Sequence, residues 1–277
     1  MTGTPLRTVE ASTMSDWLHN LPVGWMALVV FAASYCVAAF VYLTVTKLAV
    51  DERARAFKAL SPGMLPPLGI IFGLLVGFIA AQVWSDFERA KVAVASEANA
   101  LRGVILLAAS FPGEDEVRLR ALVTRHIDEA VSEEWPAMAQ HRATLTLPVS
   151  LFEALKLTLA LTPTNDGQRT AQRALADVLQ HALEARRQRI IISQSSVNVL
   201  KWSGLLLQAL CTLIAIAMVH SDNRLTCAIA LALFATGIAL SVLLIGAYNR
   251  PFTGDLSVSP ELLQQVIPSE VAPMQGP

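Results

Sequence analysis

The sequence predicts an all-α, polytopic membrane helix bundle: four transmembrane helices, with a helical aqueous domain between the second and third. Two observations carry this. First, four long apolar runs, Val23–Thr46, Pro67–Trp84, Trp202–His220 and Leu225–Tyr248, contain no Lys, Arg, Asp or Glu. Crossing a bilayer takes about 20 mostly apolar helical residues, and a charge at its centre costs about 3 kcal/mol or more. Second, the chain is 54% hydrophobic and only 16% charged, whereas a soluble domain is nearer 25% charged. The excess apolar surface suits lipid.

Taken in order, residues 1–22 hold one basic residue, Arg7, and no apolar period, so they read as a flexible tail. The first run is too long for the core of a cleaved leader and is expected to stay as an anchor. Residues 23–84 then form the first transmembrane pair, joined by the charged segment Asp51–Lys58 and by Ser61-Pro62-Gly63 and Pro66-Pro67. The second run continues without a breaker into Ser85–Ser110, which predicts one long helix, half in lipid and half in water. Phe111-Pro112-Gly113 ends it.

Residues 85–200 form the helical domain, expected to be continuous with the spans. Glu114-Asp115-Glu116 open its next helix, where acids suit the positive end of the helix dipole. Leu119, Leu122, Val123, His126, Ile127, Ala130 and Val131 recur at helical spacing. Pro136 is expected to kink or end that helix. A short helix over about Val149–Leu161 is followed by the turn Pro163–Gly167. Ala171, Ala174, Leu175, Val178, Leu179, Ala182 and Leu183 share a face of the last polar helix, which runs into Arg186-Arg187-Gln188-Arg189. Ser193–Asn198 has no Gly or Pro, so helix is expected to continue towards Lys201. Residues 201–248 are the second transmembrane pair, and 249–277 a C-terminal loop and tail.

Several function classes are disfavoured. A net charge of −1 gives no electrostatic case for nucleic acid. No phosphate loop, nucleophile elbow or paired metal ligands appear, so neither an enzyme nor a cofactor or metal site is expected. The three cysteines, Cys36, Cys211 and Cys227, all lie in spans and read as small packing residues. His126 reads as a core residue with one satisfied nitrogen. Asp128, Glu129, Glu133 and Glu134 read as a solvated acidic face. Mid-span polar groups are mild, chiefly Ser34, Tyr35, Gln208, Thr212, Thr236 and Ser241, which counts against an ion-coupled pump.

The second span carries Gly69, Gly73, Gly77 and Ala81 at every fourth position. Such stripes let helices approach closely in lipid, either within one protomer or between protomers of a ring. The other face, Ile71, Leu75, Phe78, Ile79 and Gln82, is the choice for a hydrophobic pore constriction that gates by dewetting, with contact to lipid as the alternative. Trp84 and Trp202 fit interfacial anchors.

A set of segments carries a resemblance. They are Trp84 with Phe87 and Ala90, Glu97-Ala98 with Leu101, Glu134-Trp135-Pro136, the basic Arg186–Arg189, and Pro251-Phe252 with Gly254-Asp255, Val258 and Pro260. In this order and spacing the chain resembles the bestrophin-like family of bacterial membrane proteins over roughly 25–267, a family defined without a known activity. The resemblance implies a multi-pass protein of a bacterial inner membrane. It is distantly similar to bestrophin anion channels, which implies a homo-oligomer such as a pentamer, passing small ions through a pore lined by the second span. A non-conducting sensor or scaffold that binds a partner through its helical domain is the alternative. In animal bestrophins acids after the last span clasp Ca²⁺, and here only Asp255 and Glu261 are available, too few for six to eight oxygens. Orientation is contested. Lys47, Arg53, Arg55 and Lys58 place the first loop inside by the positive-inside rule, and the resemblance places the helical domain there.

Overall fold

A computed structural model describes residues 22–49 and 62–267, and among them every regular element is helical. The helices are α1 (Val23–Leu48), α2 (Leu65–Ala108, led by a 3₁₀ turn over Pro62–Met64), α3 (Glu114–Glu129), α4 (Trp135–Ala139), α5 (Val149–Ala160), α6 (Asp166–Ser193), α7 (Val199–Val219), α8 (Arg224–Tyr248) and the short α9 (Glu261–Gln264). α1, α2, α7 and α8 are long and apolar enough to cross a membrane. The charged segment Asp51–Lys58, including Arg53, Arg55 and Lys58, lies outside the described residues, as does the tail before Pro22.

The chain divides into two compact units. The first takes α1, α2 as far as Ser85, α7, α8 and the residues to Arg250, and Gly254–Leu256. Its core is a seam of Ala38, Val41, Val45, Phe72, Ile79, Leu205, Leu213, Leu231, Ala235 and Ile238, with Phe72 and Phe234 ring centroids 5.3 Å apart. The mid-span polar groups Tyr35, Gln208, Thr212, Thr236 and Ser241 are each hydrogen-bonded within this unit, as a low-dielectric surround demands. Tyr35 Oη meets Thr236 Oγ1 at 2.8 Å, and Gln208 donates to the Leu68 carbonyl at 3.2 Å. Thr212, Thr236 and Ser241 each donate to a backbone carbonyl one turn back. Of the cysteines, Cys227 is buried and packs as expected, whereas Cys36 and Cys211 lie exposed on their helices.

The second unit takes Asp86–Ser195, Pro251–Thr253 and the chain from Ser257. The latter half of α2 runs through it with Ala90, Val94, Leu101, Val104 and Ala108 fully buried. Gly113, at φ 109°, turns the chain into α3 in a conformation that a side chain disfavours. Asn165 caps α6 by accepting from Gln168 N at 2.8 Å.

Of the two outcomes expected at Pro136, a kink or an end, the helix does not end. The chain widens instead into a π-helical turn over Ala130–Glu134, in which Trp135 N donates five residues back to Ala130 O. A proline ring clashes with the carbonyl four residues earlier, and the wider turn accommodates it within one helical run. One expectation is corrected here, that of helix through Gln194–Asn198, which is not helical. Asn198 starts α7 afresh by accepting from Leu200 N, and Asn249 Oδ1 takes the Val197 N–H at 2.8 Å. Local side-chain acceptors of this kind compete with helix continuation.

Candidate functional site

The apolar half of α2 presents two faces. Phe72, Ile79 and Val83 are buried in the first unit's core, and Leu75, Val76 and Ala80 pack against it. Ile70, Ile71, Gly73, Leu74, Gly77, Phe78, Ala81 and Trp84 are exposed, Phe78 at 72%. Among the described residues, a Cβ added to Gly69, Gly73 or Gly77 would meet no atom within 4 Å, so these glycines pack against none of the described helices. This changes the sequence-based faces. Phe78 and Ile71 stand on the exposed arc beside Gly73 and Gly77 rather than opposite them. Ile79 turns inward and cannot share that face, Leu75 is drawn towards the core, and Gln82 accepts from Lys201 Nζ.

At the end of this segment Trp84 meets Tyr248 with ring centroids 5.4 Å apart, an aromatic pair suited to a membrane–water boundary. In the same unit Asp255 Oδ2 accepts the Val23 N–H of α1 at 3.0 Å. Pro22, at the start of α1, has no side chain to do this. Asp255 is therefore the acid at the positive end of the α1 dipole. Replacing Asp255 with Ala is expected to cost about 1 kcal/mol, read as a lowered melting temperature of the purified protein.

The helical unit is organised by a sealed ionic cluster. The fully buried Arg189 of α6 faces the equally buried Glu97 of α2, Nε to Oε2 at 2.7 Å and Nη2 to Oε1 at 3.1 Å. Its Nη2 also donates to Glu134 Oε2 at 2.7 Å, and the guanidinium lies 4.7 Å from the Trp135 ring centroid. Glu134 Oε1 takes Arg186, Nε at 2.7 Å and Nη2 at 2.6 Å, and Arg186 also holds the Thr146 carbonyl. His126 Nε2 donates to Glu97 Oε1 at 3.0 Å, because an ionised carboxylate can only accept. The other ring nitrogen faces Ser150 Oγ at 3.4 Å, and Ser150 donates onward to Glu129 Oε2. Burial pushes the Glu97 carboxyl up, but the Arg189 guanidinium and the His126 and Arg189 hydrogen bonds outweigh it and bring it to about 2. For Arg189, burial pulls the guanidinium down while Glu97 and Glu134 raise it further. Each carboxylate is held by a guanidinium, so the cluster is a lock rather than an acid–base pair.

The motif residues Glu97, Glu134 and Trp135 thus come together, with Phe252 from the far end of the sequence. Trp135 Nε1 donates to the Val258 carbonyl at 3.1 Å, and Phe252 meets its ring edge-on at 5.7 Å. Thr253 Oγ1 donates to the Ala139 carbonyl and Val258 N to the Pro251 carbonyl, which shapes this loop. Pro136 closes the π turn, Gly254 takes φ 85° and Pro260 precedes α9. One sequence reading is corrected. Glu134 is not on a solvated face, because both its carboxylate oxygens hold buried arginines, and His126, a core residue as expected, is bonded through Nε2 with Ser150 beside its other nitrogen. The arginine lock was missed, yet its signal was present. Arg186 and Arg189 extend the Ala171–Ala182 stripe at helical spacing, whereas Arg187 falls on the exposed side.

No curated protein matches the chain. Among solved structures, the crystal structure of a bacterial bestrophin homolog from Klebsiella pneumoniae, carrying a point mutation, aligns with a TM-score of 0.66. The alignment covers 87% of this chain and 97% of that one at 12% identity, a likeness of fold. A sequence model of the bestrophin-like domain matches residues 29–263, which takes in both the apolar face of α2 and the arginine lock, and on that match the chain belongs to the bestrophin-like family.

Proposed function

We propose that this protein is a homo-oligomeric, passive ion channel of a bacterial inner membrane, with anions as the conducted class and a pore lined by the apolar half of α2. The observation that carries the reading is the exposed arc of Ile71, Leu74 and Phe78, next to glycines that none of the described residues fills. Small residues let neighbouring helices approach closely in lipid, so Gly73 and Gly77 are placed for contact with a second copy. Large apolar side chains beside them would ring the axis, and a narrow apolar ring gates by dewetting. Five copies are proposed by analogy with bestrophin channels. In this arrangement α1, α2, α7 and α8 span the bilayer and residues 85–200 stand in water. An enzymatic role is not proposed, since the charged groups of the lock are spent on each other.

Liposomes loaded with chloride and containing the purified protein should release it. Phe78→Ala should raise the rate several-fold, since truncating the ring removes apolar surface from the constriction. Ile79→Ala, a change in the protomer core, should act on stability instead. Equal release from wild-type and Phe78→Ala liposomes would remove Phe78 from the pore.

A scaffold is the second reading, favoured by the exposed Leu145, Leu147, Val149 and Phe152 on the helical unit. It requires a stable complex with another protein and no ion release.

A further inference from the structure

Along the exposed arc of α2, polar chemistry begins only at the Trp84 end. Ile71, Leu74 and Phe78 carry no group that could replace an ion's water. Gln82 follows Phe78 by four residues, on the same side of the helix and about 6 Å further along the axis. Its amide holds the Nζ of Lys201, an exposed residue in the first turn of α7, and both residues belong to the first compact unit. An ammonium can only donate, so it takes the amide oxygen and leaves Gln82 Nε2 with two N–H groups. Among the described residues those N–H groups have no acceptor, and Lys201 has no carboxylate partner. The nearest acid along α2, Asp86, is paired with Arg89 at 3.6 Å. Nor does Lys201 suit its own helix. The first turn of α7 contains no acid, and the positive end of a helix dipole favours an anion over a cation.

We propose that Lys201 and Gln82 form an anion site at the edge of the apolar arc, and that this site makes conduction selective for a small inorganic anion such as chloride. The role in selection rests on the channel reading. The apolar ring itself carries no charge, so discrimination by sign has to come from charged groups at its entrance, as in pores that use Lys or Arg for anions. Repeated in each copy of a ring, the ammonium raises the local concentration of anions and lowers that of cations. The amide N–H groups of Gln82 then replace part of the water that an anion sheds on entering. The charge, the amide donors and the start of α7 all favour the same sign of ion.

The test is the reversal potential of currents from the purified full chain in planar bilayers under a potassium chloride gradient. Wild-type protein should favour chloride over potassium. Lys201→Gln should lower the chloride-to-potassium permeability ratio several-fold while current persists, and Lys201→Arg, which brings back a charge and donors, should restore it. A lysine at the end of a span can also serve only as an anchor, with its stem along apolar surface and its charge in water. Gln82→Glu separates that role from selection, because it leaves the lysine in place and neutralises it with a carboxylate. The ratio should fall there as it does in Lys201→Gln, and this variant carries the test alone should Lys201→Gln fail to fold. A wild type with no preference for chloride, or an unchanged ratio in either variant, overturns the site and leaves conduction standing. Silent bilayers from a well-folded oligomer overturn the channel reading, and the role in selection with it.

Discussion

Arg189→Ala should destabilise the helical unit by about 3–5 kcal/mol, the cost of breaking a buried ion pair from one side. The figure rests on burial. Arg189 and Glu97 are both completely enclosed, and removing the guanidinium leaves the Glu97 carboxylate with His126 as its remaining partner among the contacts described. Surface pairs in the same protein, such as Arg169–Asp166 and Lys91–Glu88, should contribute under about 1 kcal/mol each. The double variant Glu97→Leu/Arg189→Met should recover much of the loss, because apolar residues of similar volume remove the stranded charge as well as the pair. Chemical denaturation in detergent, followed by circular dichroism, measures all three. A single variant within 1 kcal/mol of wild type would show that the lock is not a major element of stability.

Acid should act on the same group. The Glu97 carboxyl titrates at about 2 in the folded protein against an ordinary value of 4.5. A depressed folded value means that its contribution is fully present above about pH 4.5 and is lost as the pH falls towards 2. That difference corresponds to about 3 kcal/mol. Melting temperature should therefore drop steeply between pH 4.5 and 2, and Glu97→Gln should lose the part of the drop that belongs to this residue. An unchanged acid limb in Glu97→Gln would assign the acid sensitivity elsewhere.

The apolar runs and their breakers were readable directly. Charge-free stretches of bilayer length have few alternatives, and Phe111-Pro112-Gly113 and Asn165 end and start helices through local chemistry. The faces of the second span were not readable in the same way. In water, composition separates a core face from a solvent face, but in lipid a face towards a helix and a face towards acyl chains are equally apolar. Hence Ile79 and Phe78, adjacent in sequence, were assigned to one face and prove to lie on different ones. The lock escaped for another reason. Charged residues are seldom fully buried, and Glu97 finds its partner 92 positions away, so no local pattern announces the pair. The continuation of the α6 stripe through Arg186 and Arg189 was the one legible hint. The π turn was hidden in Pro136, which signals disruption of a helix without saying how the backbone absorbs it.

Ion conduction through the exposed arc of α2 is the central claim, and planar-bilayer recording on the purified full chain, with its oligomeric state established by cross-linking, tests it most directly. Wild-type protein should give discrete currents under a chloride gradient, and Phe78→Ala should give larger ones. Silent bilayers from a well-folded oligomer would contradict it.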